Sequence, residues 1–323
     1  MTFDELTERF GGVVATHQLL AAGETSASIR DACRSGTLSS IRHGWYRTEA
    51  AEPEVVEAVA DHGVVSCATA LRRHGLWIPE HPEQVHSRVT RHERRRSHDR
   101  CRRYGRPTPA NGAVDDVATA LQYAARCFDV EGFVILCDSA LNTGKITPAR
   151  LRTEFDDAPM FIKRAIEKTH QLAASGTETA ARLRLRSAGL RVTVQHHVPG
   201  VGWVDLLVGE RLALELDSVE HHSGIEKYEE DRTRDRKLIS RGYFPLRVTY
   251  AQVFGDWATP MRTSPRSSLG GTTAAGRLPG ENPADNRPSE TDTGRYVPEP
   301  FPPGGFQRTQ AVSWPTTARP ATR

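Results

Sequence analysis

The chain has 323 residues, 37% of them hydrophobic and 26% charged, and 43 Lys+Arg against 40 Asp+Glu leave a formal charge of +3. That length allows two or three domains, and so weak a net charge neither implies nor excludes a nucleic-acid partner. Five scattered cysteines with no CxxC pair support neither a disulfide framework nor a zinc knuckle, and the longest apolar runs, such as residues 133–137, fall far short of the roughly 20 residues that cross a membrane.

Residues 1–49 read as one compact unit. Thr16 is placed to cap a helix over 17–22 that Gly23 stops, and Ser26 to cap a second helix, through Ser35, that Gly36 stops. Residues 38–42 and 45–47, on either side of His43-Gly44, predict a hairpin. Helix, tight turn, helix and hairpin is the layout of a winged helix-turn-helix. Residues 50–172 predict a mostly helical region, with helices over 54–61, 66–74, 114–128, 132–141, 148–155 and 160–172 and a short strand through Val85, Ser87 and Val89. Nine arginines lie between Arg88 and Arg106, against Glu93 and Asp99. This stretch either tracks a DNA backbone or is a solvated loop. Residues 173–256 predict a small α/β unit with a mixed sheet: helix 176–188, strands 192–196, 203–208 and 211–217, helix 225–241 and strand 245–250. From Pro260 onward stand eleven of the chain's 20 prolines, two leucines and no isoleucine. Residues 257–323 are therefore expected to be disordered, because they cannot bury enough apolar surface to offset the entropy of ordering. The N-terminus has neither a basic n-region nor an apolar h-region, so no signal peptide is expected, and the cysteine usage fits a reducing cytoplasm.

The sharpest chemical signal lies in residues 204–217. Val204, Leu206 and Val208 alternate with Asp205 and Leu207, and Leu212, Leu214 and Leu216 alternate with Ala213, Glu215 and Asp217. With Gly209-Glu210-Arg211 as the loop, Val208 faces Leu212, Leu206 faces Leu214 and Val204 faces Leu216, so that one sheet face is wholly aliphatic. The same register sets Asp205 opposite Glu215. Facing carboxylates repel, and a divalent cation with a preference for oxygen removes that repulsion. Asp217 shares the face and Glu178 stands in the first turn of the preceding helix, so three or four acids could hold one or two Mg²⁺ ions for phosphodiester hydrolysis. The other reading is an ordinary solvated acidic face. In the helix that follows, Ile225, Tyr228, Arg232, Asp235 and Ile239 fall on one stripe, which is expected to turn Arg232 and Asp235 inward. His221 and His222 precede this helix as phosphate contacts or proton carriers.

Ser175-Gly176-Thr177-Glu178, Gln195-His196-His197-Val198-Pro199-Gly200, Val204-Asp205-Leu206-Leu207-Val208, Glu215-Leu216-Asp217, His221-His222, Asp231-Arg232-Thr233-Arg234-Asp235 and Leu246-Arg247-Val248-Thr249, in that order and spacing, resemble the domain of unknown function 559. That domain is similar to the very-short-patch-repair endonuclease and belongs to the PD-(D/E)XK nuclease superfamily. The resemblance covers about residues 173–254. It implies a restriction-endonuclease-like sheet with a helix on each side, and Mg²⁺ or Mn²⁺ held by Asp205 and Glu215, with the Leu216 carbonyl as a third ligand. Glu178 would match the helix acid, His222 the histidine after the hairpin, and Arg232 and Asp235 the paired Arg and Asp. The superfamily's lysine is replaced by Asp217 and the usual glycine by Ser218, so the positive charge must come from Lys237, Arg232 or Arg234. Gly12-Val13-Val14-Ala15-Thr16, Leu19-Leu20-Ala21-Ala22-Gly23, Ile29-Arg30, Gly36-Thr37-Leu38 and Arg42-His43-Gly44-Trp45-Tyr46 resemble the N-terminal winged helix of the abortive-infection antitoxin of type IV toxin–antitoxin systems. This implies that residues 26–35 form a recognition helix, with Ser26, Ser28 and Arg30 toward the major groove and Arg34 and Arg42 on phosphates. The alternative is a helix-turn-helix used only for packing.

The expected fold class is thus multi-domain α/β: winged helix (1–49), helical middle (50–172), PD-(D/E)XK-like domain (173–256) and tail (257–323). Three functions compete. One is a metal-dependent DNA endonuclease. The second is a non-catalytic DNA-binding regulator of antitoxin type with an inactive nuclease fold, and the third, a hydrolase of small phosphoesters, gives the winged helix no task. DNA is the expected partner, a cognate toxin and a second copy of the chain are open partners, and no membrane is expected.

Overall fold

The computed structural model describes residues 2–81, 84–89, 100–217 and 225–263, with residues 225–228, 262 and 263 as backbone only. These residues make a mixed α/β structure, and none of its helices is long and apolar enough to cross a membrane.

The chain starts with α1 (Phe3–Arg9), fixed by a capping box in which Thr2 and Glu5 satisfy each other's backbone N–H groups. Then follow β1 (Val13–Ala15), α2 (Thr16–Ala21), α3 (Ser26–Ser35), β2 (Ser39–Arg42) and β3 (Trp45–Arg47). The two expected helices and the hairpin are present. Their caps differ by one residue, because Ala15 rather than Thr16 precedes α2 and the Thr25 hydroxyl, not that of Ser26, accepts the α3 cap bond. The sheet is three-stranded, in the order β1-β3-β2.

Next come α4 (Pro53–Ala60), β4 (Gly63–Val65), α5 (Cys67–Arg73), β5 (Ser87–Val89), α6 (Val117–Cys127), α7 (Val130–Asn142), α8 (Pro148–Glu154) and α9 (Met160–Glu167). One hydrophobic core runs from Leu6 to Ile166 across this whole length, so packing does not break near residue 49. Within it, Arg88 is almost fully buried and makes a two-pronged ion pair with Asp115, at 2.6 and 2.7 Å, while its third nitrogen reaches the Thr108 carbonyl at 2.7 Å. Arg88 is therefore an internal tie and not a backbone-tracking residue. Residues 90–99, which carry Arg91, Arg94, Arg95 and Arg96, lie outside the described residues.

The remaining elements are α10 (Gly176–Ser187), β6 (Val192–Val198), β7 (Gly202–Val208), β8 (Leu212–Asp217), α11 (Ile225–Ser240), β9 (Phe244–Thr249), α12 (Tyr250–Phe254) and α13 (Ala258–Thr263). The sheet order is β6-β7-β8-β9, antiparallel except for the parallel β8–β9 pair. The expected pairs Val208↔Leu212 and Leu206↔Leu214 form. The aliphatic face over Leu206, Val208, Leu212 and Leu214 covers Ala180, Ala181 and Leu185 of α10. Val204 departs from that face and packs with Val198, Ala213 and Leu238 of α11. Ala213 projects opposite to Leu212 and Leu214, so β7 changes face between residues 204 and 206. The cause lies across the ladder: Gln195, between the pairs Val194↔Leu206 and His196↔Val204, has a left-handed φ of 50° and interrupts the pleat.

A buried network joins α7 to α10. Asp138 accepts from Arg182 at 2.6 Å, from Thr179 at 2.8 Å and from the His170 backbone at 2.7 Å. At the C-terminal end of the described chain, residues 257–263, expected to be disordered, are ordered instead. Trp257 and Met261 pack on the sheet's core, and one helical turn between two large apolar side chains is enough to seat α13. The rest of the expected disordered tail lies outside the described residues.

Candidate active site

The interruption at Gln195 is where the acids gather. Asp205 is in β7 directly across from it. Glu178 is in the first turn of α10, where the Ser175 hydroxyl caps its backbone N–H at 3.1 Å. The Gln195 amide donates to Glu178 Oε2 at 3.2 Å and to Asp205 Oδ1 at 3.4 Å, and so bridges the two carboxylates. The other Asp205 oxygen accepts from the Leu216 backbone N–H at 2.8 Å. Asp205 and Glu215 do not form the expected ladder pair, since β7–β8 pairing ends at Leu206↔Leu214. They are nonetheless close enough to repel, and Asp217 acts on Asp205 in the same way. The contact of Leu216 with the site is its N–H on Asp205, where the resemblance implied its carbonyl on a metal.

Burial governs the charge state here. Glu178 is 5% exposed, and burial first, then Asp205, push its pKa from the usual 4.5 up to about 7. Bonds from the Ala174 backbone and from Ser175 and Gln195 work against that rise. Burial also raises Asp205, partly offset by the Leu216 N–H, and raises Glu215, partly offset by Arg234. The donors are all oxygens, as Mg²⁺ or Mn²⁺ requires, and the charged forms of these acids are disfavoured in the absence of a cation. The donor chemistry suits such an ion, but among the described residues Glu178, Asp205 and Glu215 are not gathered into a group of three ligand atoms close enough to share one.

The positive charge is supplied by Arg234. Its Nη2 donates to Glu215 Oε1 at 2.8 Å and also to the Trp203 carbonyl. The expected inward stripe of α11 is corrected: Arg232 is exposed and Ile239 is 60% exposed, whereas Leu238 is fully buried. With Leu238 inward, helical spacing turns Asp231, Arg234 and Asp235 toward the sheet. Asp235 accepts from Arg247 of β9 at 3.3 Å and Asp231 from the same guanidinium at 2.8 Å, so the expected Arg232–Asp235 pairing gives way to a strand-to-helix tie. His221, His222 and Ser218 lie outside the described residues.

Gln195 is the site residue that sequence reading missed. It stood in the resemblance segment, and its place opposite Asp205 follows from the β6–β7 register, but nothing in the sequence announces a left-handed residue in mid-strand.

On α3, Ser26, Arg30 and Arg34 are exposed. Arg34 pairs with Asp31 on the surface. Ser28 is not free to face a groove: its hydroxyl donates to Glu24 at 2.6 Å and accepts from the Thr25 N–H at 2.9 Å. Arg42 also has an internal task, donating to the Val59 carbonyl at 2.8 Å and lying over Trp45, which ties β2 to α4.

A second constellation also escaped the sequence reading. Cys67, His86, Cys101 and Cys127, far apart in the chain, place one ligand atom each within 4.8 Å of one another. Among the described residues no other group of three or more potential ligands is gathered as tightly. A scan of protein-family models finds no match to the chain, and a search of curated proteins finds none either.

Proposed function

We propose that the chain is a metal-dependent DNA endonuclease with a PD-(D/E)XK-like catalytic unit, similar to very-short-patch-repair endonucleases, and a winged helix-turn-helix that brings it to DNA. The observation that carries the reading is the bridging of buried Glu178 and half-buried Asp205 by Gln195, with half-buried Glu215 near enough to repel Asp205 and desolvation disfavouring the charge on all three. When bound, Mg²⁺ or Mn²⁺ supplies Lewis acidity toward a phosphodiester and lowers the pKa of a water. The chain's own residues do the rest. Asp205 and Glu215 hold the ion, with Asp205 fixed by the Leu216 N–H. Glu178, poised near neutrality, orients water and accepts its proton. Arg234 stands beside Glu215 and takes the electrostatic task of the superfamily's lysine, with exposed Arg232 able to meet the DNA strand. His222 contacts phosphate, Asp217 adds negative charge beside Asp205, and Asp235 holds Arg247. Ser26 and Arg30 on α3 read the groove while Arg34 meets phosphate.

A second reading has its own support. Gln195 and Arg234 already satisfy the three carboxylates from within the protein, and Asp217 occupies the lysine position. Such a site suits a non-catalytic DNA-binding regulator of antitoxin type, acting with a cognate toxin or as a homodimer. Incubating plasmid and linear duplex with the full chain and Mg²⁺, Mn²⁺ or EDTA decides between them. Under the endonuclease reading, wild type nicks or cuts with either metal, and Asp205→Ala folds, binds DNA and cuts nothing. Absence of cleavage on every DNA form with both metals overturns it in favour of the regulator.

A further inference from the structure

Three sulfurs and one imidazole meet inside the middle region, each delivered by a different piece of chain. Cys67 is the first residue of α5, Cys127 the last of α6, His86 directly precedes β5, and Cys101 lies within the arginine-rich stretch, between Arg100 and Arg102. Cys67, His86 and Cys101 are 0%, 5% and 8% exposed, and Cys127 is half-buried. His86 Nδ1 is 3.2 Å from Cys101 Sγ. In a tetrahedral zinc site with Zn–S bonds of about 2.3 Å, the ligand atoms stand about 3.8 Å apart. A set confined within 4.8 Å has that size.

Bonds outside the cluster hold the ligands in place. The Ser66 N–H donates to the His86 carbonyl, the His86 N–H to the Thr69 hydroxyl (both 2.8 Å), and the Cys101 N–H to the Ser87 carbonyl at 2.9 Å. His86 Nε2 is 2.7 Å from His81 Nε2. A proton on His86 Nε2, donated to His81, leaves the Nδ1 lone pair free toward the sulfurs, the outer partner that ligating histidines usually have. Cys67 itself adopts a left-handed φ of 50°, a cost for a non-glycine residue that the surrounding structure sustains at this spot. A disulfide is a poor account of the cluster, because it would join two sulfurs and leave a third thiol and an imidazole beside it; all five cysteines are free.

We infer that Cys67, His86, Cys101 and Cys127 form a closed, four-ligand structural site for Zn²⁺, separate from the carboxylate cluster. Three thiolates and an imidazole are the donors zinc prefers over Mg²⁺, and four protein ligands leave no open position for substrate. The ion fixes the start of α5 to the end of α6. His86 and Cys101 flank residues 87–100, which carry six of the nine arginines between Arg88 and Arg106.

The test is metal analysis of the reduced, full-length protein by plasma mass spectrometry. About one zinc per chain is expected, retained in Cys33→Ser and in Asp205→Ala and lost in Cys101→Ser and Cys127→Ser. Exchange of zinc for Co²⁺ adds a readout that needs no variant to fold: thiolate-to-cobalt charge-transfer absorption and the intense visible bands of a tetrahedral ion. Carboxylates cannot produce the former, so metal bound at Asp205 and Glu215 is not mistaken for this site. Wild-type protein without zinc and without the cobalt–thiolate band overturns the inference, as does zinc retained in both ligand variants. A disulfide among these cysteines, seen as an intact-mass loss of two hydrogens that reduction reverses, overturns it as well.

Discussion

Glu178 ties the candidate site to the stability of the fold, and the link can be measured. Its pKa in the folded protein is raised from 4.5 to about 7, by burial and then by Asp205. The folded state therefore holds this proton more tightly than the unfolded chain does. Below the unfolded value both states are protonated and Glu178 costs nothing; as pH rises toward 7 the folded state must give up the proton, and stability falls. At about 1.4 kcal/mol for each pH unit, the full loss is about 3 kcal/mol, reached above the folded pKa. Glu178→Gln removes the titration and keeps an acceptor for the Ala174 N–H, while Ser175, which now donates to Glu178, can accept from the new amide. Urea unfolding followed by tryptophan fluorescence should show the variant gaining on wild type as pH rises. The difference should be about 3 kcal/mol larger near pH 8 than at pH 4, with less than about 1 kcal/mol of that change present at pH 5. Any fixed offset from altered hydrogen bonding is the same at every pH, so the change in the difference is the diagnostic quantity. Saturating Mg²⁺ should flatten the wild-type profile, because a nearby cation favours the ionised carboxylate against the burial that raises its pKa. A stability difference that stays constant from pH 4 to pH 8 refutes the electrostatic account of the site.

Other perturbations probe the frame around it. Asp138→Ala strands the fully buried Arg182 and should lower unfolding free energy by about 3–5 kcal/mol in denaturant titration. Gly176→Ala would place a Cβ 2.3 Å from the Trp77 ring at the start of α10, and should cost about 1–3 kcal/mol while displacing Glu178 enough to reduce any cleavage activity. Arg30→Ala, on the exposed face of α3, should weaken duplex binding and reduce the salt slope by about one, measured by fluorescence anisotropy across salt concentrations; an unchanged slope removes α3 from the DNA interface.

The sheet unit was legible because its signals were local and redundant. Alternation in 204–217 set the part of the β7–β8 register that forms, Leu206↔Leu214 and Val208↔Leu212, and glycines marked the turns. The first helix also left a readable trace, since Thr2 and Glu5 stand at capping-box spacing. The face of α11 was not readable. Its apolar residues in the described part are the neighbours Leu238 and Ile239, and a helix can bury only one of two such neighbours in a narrow contact. Periodicity through Ile225 and Tyr228 favoured Ile239, whereas packing against Val198, Val204 and Ala213 selects Leu238. That rotation exchanges Arg232 for Arg234 as the cation at Glu215.

Gln195 and the cysteine–histidine set failed to show for a shared reason. Each depends on a backbone state that sequence does not advertise: Gln195 and Cys67 both adopt left-handed φ values near 50° without being glycine. At Gln195 the consequence is a change of face in β7, which aims Asp205 at the start of α10. At Cys67 it turns a sulfur at the head of α5 toward the end of α6. A CxxC pair can be read because two ligands share one turn. Here the separations are 18, 14 and 25 intervening residues, so only the packing of α5, α6 and the flanks of β5 brings the ligands together. Strain held at two non-glycine positions, each beside a cluster of potential ligands, is the signature expected where a fold is constrained by what it holds as well as by its core.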